Sequence, residues 1–184
     1  MLKLLRAIGF FLLALALFSS VTTSRADSTP SEPQMKAAFI LNFPKYVEWP
    51  PASLASPSSP ILVAILGDDA VANELAAMSE GKSVDGHPIQ LLRNPTLAQC
   101  LECHILFLGS AEPQKAAEIV GQLKSASVLT VGESDQFIEQ GGMINLALRE
   151  RRIVLEVNLE ATRQTELHIS SKLIALAKVR GGKK

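Results

Sequence analysis

Three stretches of this chain share one grammar: an apolar run, a glycine, then polar residues that open a helix. They are ILVAILG followed by Asp68-Asp69, HILFLG followed by Ser110, and SVLTVG followed by Glu133-Ser134. Strands apolar on nearly every residue are covered on both faces, and strands that alternate with helices run parallel through right-handed crossovers. The pattern predicts helices over 70–79, 112–124 and, shorter, 135–140. Gly86-His87-Pro88 precedes a further expected strand near 89–92. From residue 143 the period changes to two: 143–148 and 152–158 alternate, joined by Arg149-Glu150-Arg151, which predicts an antiparallel hairpin. A helical turn with Glu160 and Arg163 follows, then a break near His168, then Ser170 as N-cap of a last helix over 171–179. The expected fold is a three-layer α/β/α domain with a mixed, mostly parallel sheet and a C-terminal antiparallel hairpin.

Ahead of the strands, Ala37, Ala38, Ile40, Leu41 and Phe43 recur at helical spacing from about Pro33, and Pro44 ends that helix near Phe43. Tyr46, Val47 and Trp49 then form an apolar corner, with Trp49 as a core anchor rather than a ligand platform. The four prolines and four serines of residues 50–60 make a surface loop.

Residues 1–26 have the three zones of a secretion signal: Lys3 and Arg6, an apolar run over 7–18 broken only by Gly9, and small residues at Ser24 and Ala26 that fit cleavage after Ala26. The run is shorter than the about 20 residues that span a bilayer, and no cysteine follows the cleavage site to carry a lipid. The mature chain is then expected to start at Asp27, with 27–33 as a flexible leader, 34–180 as one domain and 181–184 as a basic tail. Lys3, Arg6 and Arg25 leave with the signal, so 15 basic residues face 18 acidic ones and the mature net charge is −3. That balance argues against a nucleic-acid partner. The basic tract Lys178, Arg180, Lys183 and Lys184 is expected to be a frayed, solvated end.

The two cysteines, Cys100 and Cys103, sit where an oxidising compartment permits pairing. Three readings stay open: a local disulfide, a buried Cys103 with a free Cys100, or a redox dithiol. A bridge of that span closes so short a loop that its entropic gain is only roughly 2 kcal/mol, and a thioredoxin-like motif follows a strand, whereas here the strand follows the motif. No zinc spacing, Walker or GxGxxG sequence, GxSxG motif or zincin pair occurs, and His87, His104 and His168 are far apart in sequence. His104, before a core strand, reads as structural, and His168 as exposed. No enzyme, cofactor or metal is expected. Asp68, Ser110 and Ser134 lie at the carboxyl ends of expected parallel strands, where α/β sheets bind ligands. Either a small-molecule crevice forms there, or the glycines make tight turns and the polar residues cap helices.

KAAFILNFPKYVEWP at 36–50, CHILFLG at 103–109, SVLTVGES at 127–134, GGMINLALRERRIVLEVNLEATR at 141–163 and LHISSKLIALAKV at 167–179 resemble the YfiR-like family of small secreted bacterial proteins in the family's order. Within the first motif Phe39, Asn42, Trp49 and Pro50 carry the likeness, and Pro44 departs from it. The resemblance implies a periplasmic repressor that binds the sensor domain of an inner-membrane signalling protein, a diguanylate cyclase or a sensor kinase, and so controls cyclic di-GMP and biofilm formation. It also implies sequestration by an outer-membrane lipoprotein, and a homodimer is compatible with it. Cys103 matches a family cysteine, whose usual partner is replaced by an apolar residue of ILVAILG, and Asn145 stands where another would sit. Redox control is therefore not expected. The partner surface is expected on the hairpin and the segment after it, at Glu156, His168 and Lys172. Alternation places Glu156 with Val154 and Asn158, opposite Ile153, Leu155 and Val157. The competing function is a periplasmic small-molecule-binding module that uses the strand-end crevice.

Overall fold

Ser31 starts the first helix, because it makes a reciprocal cap. Its side chain accepts from the Gln34 amide at 3.4 Å, and Gln34 Oε1 accepts from the Ser31 amide at 2.9 Å. The helix α1 is thus Glu32–Asn42 in the computed structural model, which describes residues 29–111 and 113–180. Ser31, Glu32 and Pro33 belong to this helix start, so the expected leader is shorter than 27–33 at its C-terminal end. The expected signal peptide and the last four residues lie outside the described residues. Pro44, with no N–H to donate, tightens the chain into a 3₁₀ turn over Phe43–Lys45. A short strand β1, Val47–Glu48, follows, and then the Pro/Ser loop.

The sheet strands come next. β2 is Ile61–Leu66, and Asp68 caps α2, Asp69–Ser79, by accepting from the Val71 amide at 3.0 Å. β3, Ser83–Val84, turns through Asp85 (φ 51°) and Gly86 (φ 90°) into β4, His87–Arg93. Thr96 and Gln99 form a second capping box for α3, Leu97–Glu102. β5, Ile105–Leu108, leads to α4, Pro113–Gln122, and β6 is Leu129–Gly132. The hairpin is β7, Ile144–Arg149, and β8, Arg152–Asn158, joined by Glu150 and Arg151 at φ 47° and 63°. Both turn residues are left-handed, as a two-residue hairpin loop requires. Asn158 caps the single turn α5, Leu159–Thr162. After it come β9, His168–Ile169, α6, Ser171–Leu176, and β10, Lys178–Arg180.

Eight strands form one sheet in the order β10-β8-β7-β6-β5-β2-β4-β3. Within this sheet, among the described residues, only β7/β8 and β3/β4 are antiparallel, so the expected mixed, mostly parallel α/β fold is present. Alternate residues feed two cores. Val63, Ile65, Ile105, Phe107, Val131 and Leu146 pack under α1, α2 and α6, while Ala64, Leu106 and Leu108 meet α3, α4 and Phe137. Each such side chain contributes roughly 1.5–3 kcal/mol on burial, which is why both faces of the central strands are apolar.

Four further expectations change. Residues 135–140 make successive turns rather than a helix, since the buried Phe137 ring folds down onto Gly132 and Gly142. A Cβ at those glycines would come within 2.4 and 2.2 Å of the ring, so their lack of side chain is what admits it. The last helix stops at Leu176 instead of 179, because the chain extends at Ala177 (φ −104°, ψ 154°). Lys178 and Arg180 are accordingly in a sheet strand, parallel to β8, and not in a frayed tail. The break at His168 is itself a strand: β9 pairs antiparallel with β1, Val47 opposite Ile169 and Glu48 opposite His168.

Candidate protein-docking site

The carboxyl ends of the parallel strands are occupied by the protein's own groups. Gly109 passes so near Gly67 that a Cβ there would lie 2.4 Å from the Gly67 carbonyl oxygen. Glu133, just after β6, accepts from the Ser110 amide at 2.7 Å through Oε1 and from Lys36 of α1 through Oε2, and Lys36 also bonds Glu32 one turn back. Burial works against the Lys36 charge, but the hydrogen bonds it donates to Glu133 and Glu32 outweigh that and raise the Lys36 pKa. Asp68 is engaged in capping. The space left at the strand ends beside Asn94 and Lys115 is a cavity of about 260 Å³.

A second polar cluster lies toward the β10 edge of the sheet. Glu156 is buried, contrary to the polar-face expectation, with the side chains of Asn145 on β7 and Arg180 on β10 drawn onto its carboxylate. Its Oε1 accepts from Arg180 Nη2 at 2.9 Å and Nε at 3.2 Å, and its Oε2 accepts from Asn145 Nδ2 at 3.1 Å. Burial raises its pKa, yet the Arg180 and Asn145 hydrogen bonds and the charges of Arg180 and Lys178 bring it below the ordinary value. Asn145 Oδ1 is buried with no hydrogen-bond partner among the described residues.

His168 and Lys172 are exposed, as expected, and Ser170 caps α6 at the Lys172 amide, 3.2 Å away. The three residues Glu156, His168 and Lys172 make no hydrogen bond or ion pair with one another among the described residues, so the fold leaves them as separate features.

The histidine and cysteines have structural settings. His104 Nδ1 accepts from the Leu62 amide at 3.0 Å, which puts the proton on Nε2, 3.1 Å from the Ser53 carbonyl. Burial lowers its pKa, against the Ser53 bond and with a smaller contribution from His87. Trp49 is half-buried, stacks edge-on against His104 at 5.8 Å and donates from Nε1 to the His104 carbonyl at 3.2 Å. It ties the β1 corner to the start of β5, an anchoring position at the margin of the core. Pro50 opens the loop by accepting from the Ser53 amide at 2.9 Å. Cys100 and Cys103 are both free and buried, so no disulfide joins them here. Cys103 Sγ instead donates to the Cys100 carbonyl at 3.2 Å across the end of α3. Desolvation, then the neighbouring Cys100, pushes the Cys103 thiol up to about 12. Among the described residues no cluster of His, Cys, Asp and Glu could hold a metal, and no helix is long and apolar enough to cross a membrane.

A wider opening lies elsewhere. A groove of about 880 Å³ runs between α1, the edge of β8 and the α6–β10 junction. Phe39 and Phe43, with ring centroids 6.5 Å apart, line one side together with Asn42, which is held by a 2.7 Å bond to the Ala38 carbonyl. Leu173 and Leu176 line the other, and Leu176 is 75% exposed. Leu176 thus stands open on the same apolar groove as the partly exposed Phe39. Phe39 and Asn42 were legible from sequence only as parts of a motif. The rest was hidden because the groove joins segments more than a hundred residues apart in sequence.

No curated protein matches the chain. A family model described as YfiR/HmsC-like matches residues 33–178, which spans the helix α1, the whole sheet core and the groove, and the chain therefore belongs to the YfiR/HmsC-like family.

Proposed function

We propose that this chain is a periplasmic regulator that binds the sensor domain of an inner-membrane diguanylate cyclase and represses it, which lowers cyclic di-GMP. Family membership across nearly all of the described residues carries this reading. The open apolar groove with Leu176 at its mouth supports binding of another protein, and the secretion-type leader supports the compartment. A repressor needs no catalytic centre; it works by holding one state of its target more tightly than the other. An outer-membrane lipoprotein that competes for the same protein fits this scheme. The small-molecule alternative is less well supported, since the strand-end cavity is under a third of the groove's volume.

The test is genetic and biochemical together. Deleting the gene should raise cellular cyclic di-GMP; the full-length chain should restore it, and a chain lacking residues 1–26 should not. The chain should also co-purify with a cyclase from solubilised inner membrane. Unchanged cyclic di-GMP on deletion, with no cyclase recovered, would reject the reading.

A further inference from the structure

Three consecutive strand residues, Ile153, Val154 and Leu155, line the groove. Side chains alternate along a strand, so one face of β8 could present Ile153 and Leu155 or Val154, but not all three. A cavity that touches all of them lies against the strand's edge. The register agrees. β10 pairs with β8 only at Glu156, Val157 and Asn158, and leaves the first half of that edge uncovered.

The phase of the β7/β8 ladder decides which backbone groups point there. In a hairpin closed by two residues, Arg149 and Arg152 form a hydrogen-bonded pair. Arg152, Val154 and Glu156 therefore turn their amides and carbonyls inward to β7, and the Asn158 amide does so too, donating to the Met143 carbonyl at 2.8 Å. Ile153 has the opposite phase. Its N–H and C=O face the groove and have no partner among the described residues.

We infer that the groove takes an extended, acidic segment of a partner protein, added as a strand along the free edge of β8 in line with β10. Main-chain bonds to Ile153 would fix it, and its alternate side chains would enter the apolar space between Phe39 and Leu176. Charge selects the occupant. Arg151 and Arg152 stand at the hairpin end of the edge, with Glu150 as the acid at the tip, and Lys178 lines the groove at the other end. Arg180 is already matched by Glu156. A second copy of this chain would bring the same cations to the seam, and antiparallel pairing of two β10 strands would set Lys178 against Arg180. Like charges directly opposite are destabilising, whereas carboxylates on a foreign strand are drawn in. This inference rests on the regulator reading and names the surface and partner chemistry that it requires.

The experiment uses the purified mature chain and two labelled ten-residue peptides, one alternating leucine with glutamate and one alternating leucine with lysine. Fluorescence anisotropy should detect binding of the acidic peptide and not of the basic one. Ile153→Pro removes the outward N–H and leaves the β7 ladder intact, as proline at an edge strand does. It should weaken binding by about tenfold, the equivalent of one good hydrogen bond with its apolar neighbours. Leu176→Asp, at an exposed position where folding is not at stake, should weaken it similarly, and decides the matter if the proline variant does not fold. Equal binding of both peptides, or full binding by both folded variants, overturns the inference. So does a wild-type dimer that Leu176→Asp converts to monomer, since the occupant is then a second copy. The regulator reading is judged separately: a cyclase sensor domain retained by wild type and undiminished by both variants refutes the groove alone, while a sensor domain that ignores wild type refutes the regulator.

Discussion

Replacing Arg180 by alanine tests whether the last strand is held by a single buried carboxylate. The Glu156 side chain is 9% exposed and depends on Arg180 and Asn145 for its charge, while the Arg180 side chain is 46% exposed. Stripping the partner from a fully buried ion costs about 3–5 kcal/mol. Here Asn145 keeps its bond and water reaches the guanidinium, so the loss is about 1–2 kcal/mol. For a domain of this size that is a fall of about 3–6 °C in Tm. Glu156→Gln should cost about half as much, since the new amide no longer demands a cation and can donate to the unpartnered Asn145 Oδ1. The double variant should be more stable than the sum of the two losses predicts. Thermal melts read all three, and hydrogen exchange should show β10 opening first in Arg180→Ala. The pH dependence follows from the lowered Glu156 pKa: its contribution is full above the ordinary carboxylate value and is lost as pH falls through the folded value. The gap between wild type and Glu156→Gln should therefore close below about pH 4. An Arg180→Ala protein that melts within about 1 °C of wild type, or a gap that ignores pH, would refute this account of the strand.

Two further outcomes follow from the packing. Gly109→Ala puts a methyl group 2.4 Å from the backbone oxygen of Gly67, which no side-chain rotation relieves, so a loss of about 1–3 kcal/mol is expected in urea unfolding, and an unchanged midpoint would show that the two strand ends part freely. With the Cys103 thiol pushed up to about 12 by burial and both cysteines enclosed, neither should react with maleimide at neutral pH until the protein unfolds; rapid labelling of the native chain would contradict that environment.

Local pattern was enough for the central strands, the hairpin and the Ser170 cap. ILVAILG, HILFLG and SVLTVG became β2, β5 and β6 because a strand buried on both faces must be apolar throughout, a property written into adjacent residues. Ser170 and the Pro44 helix stop are likewise decided within one turn of chain. The cysteines show where sequence left a choice: spacing allowed a bridge, and burial at the end of α3 leaves two free thiols.

What only the tertiary structure decided depends on neighbours distant in sequence. Lys178 and Arg180 look like a solvated basic end, but β8 offers an edge and Glu156 an anion, and together these make a strand of them. Glu156 looks exposed by alternation because the period tells which face a residue takes and not what covers that face. Residues 135–140 look helical, and the space above Gly132 and Gly142 draws Phe137 inward instead. The groove has no local signature at all: α1 supplies one wall, β8 an edge and α6 the other wall, and only their packing brings together residues that periodicity assigns to three separate elements.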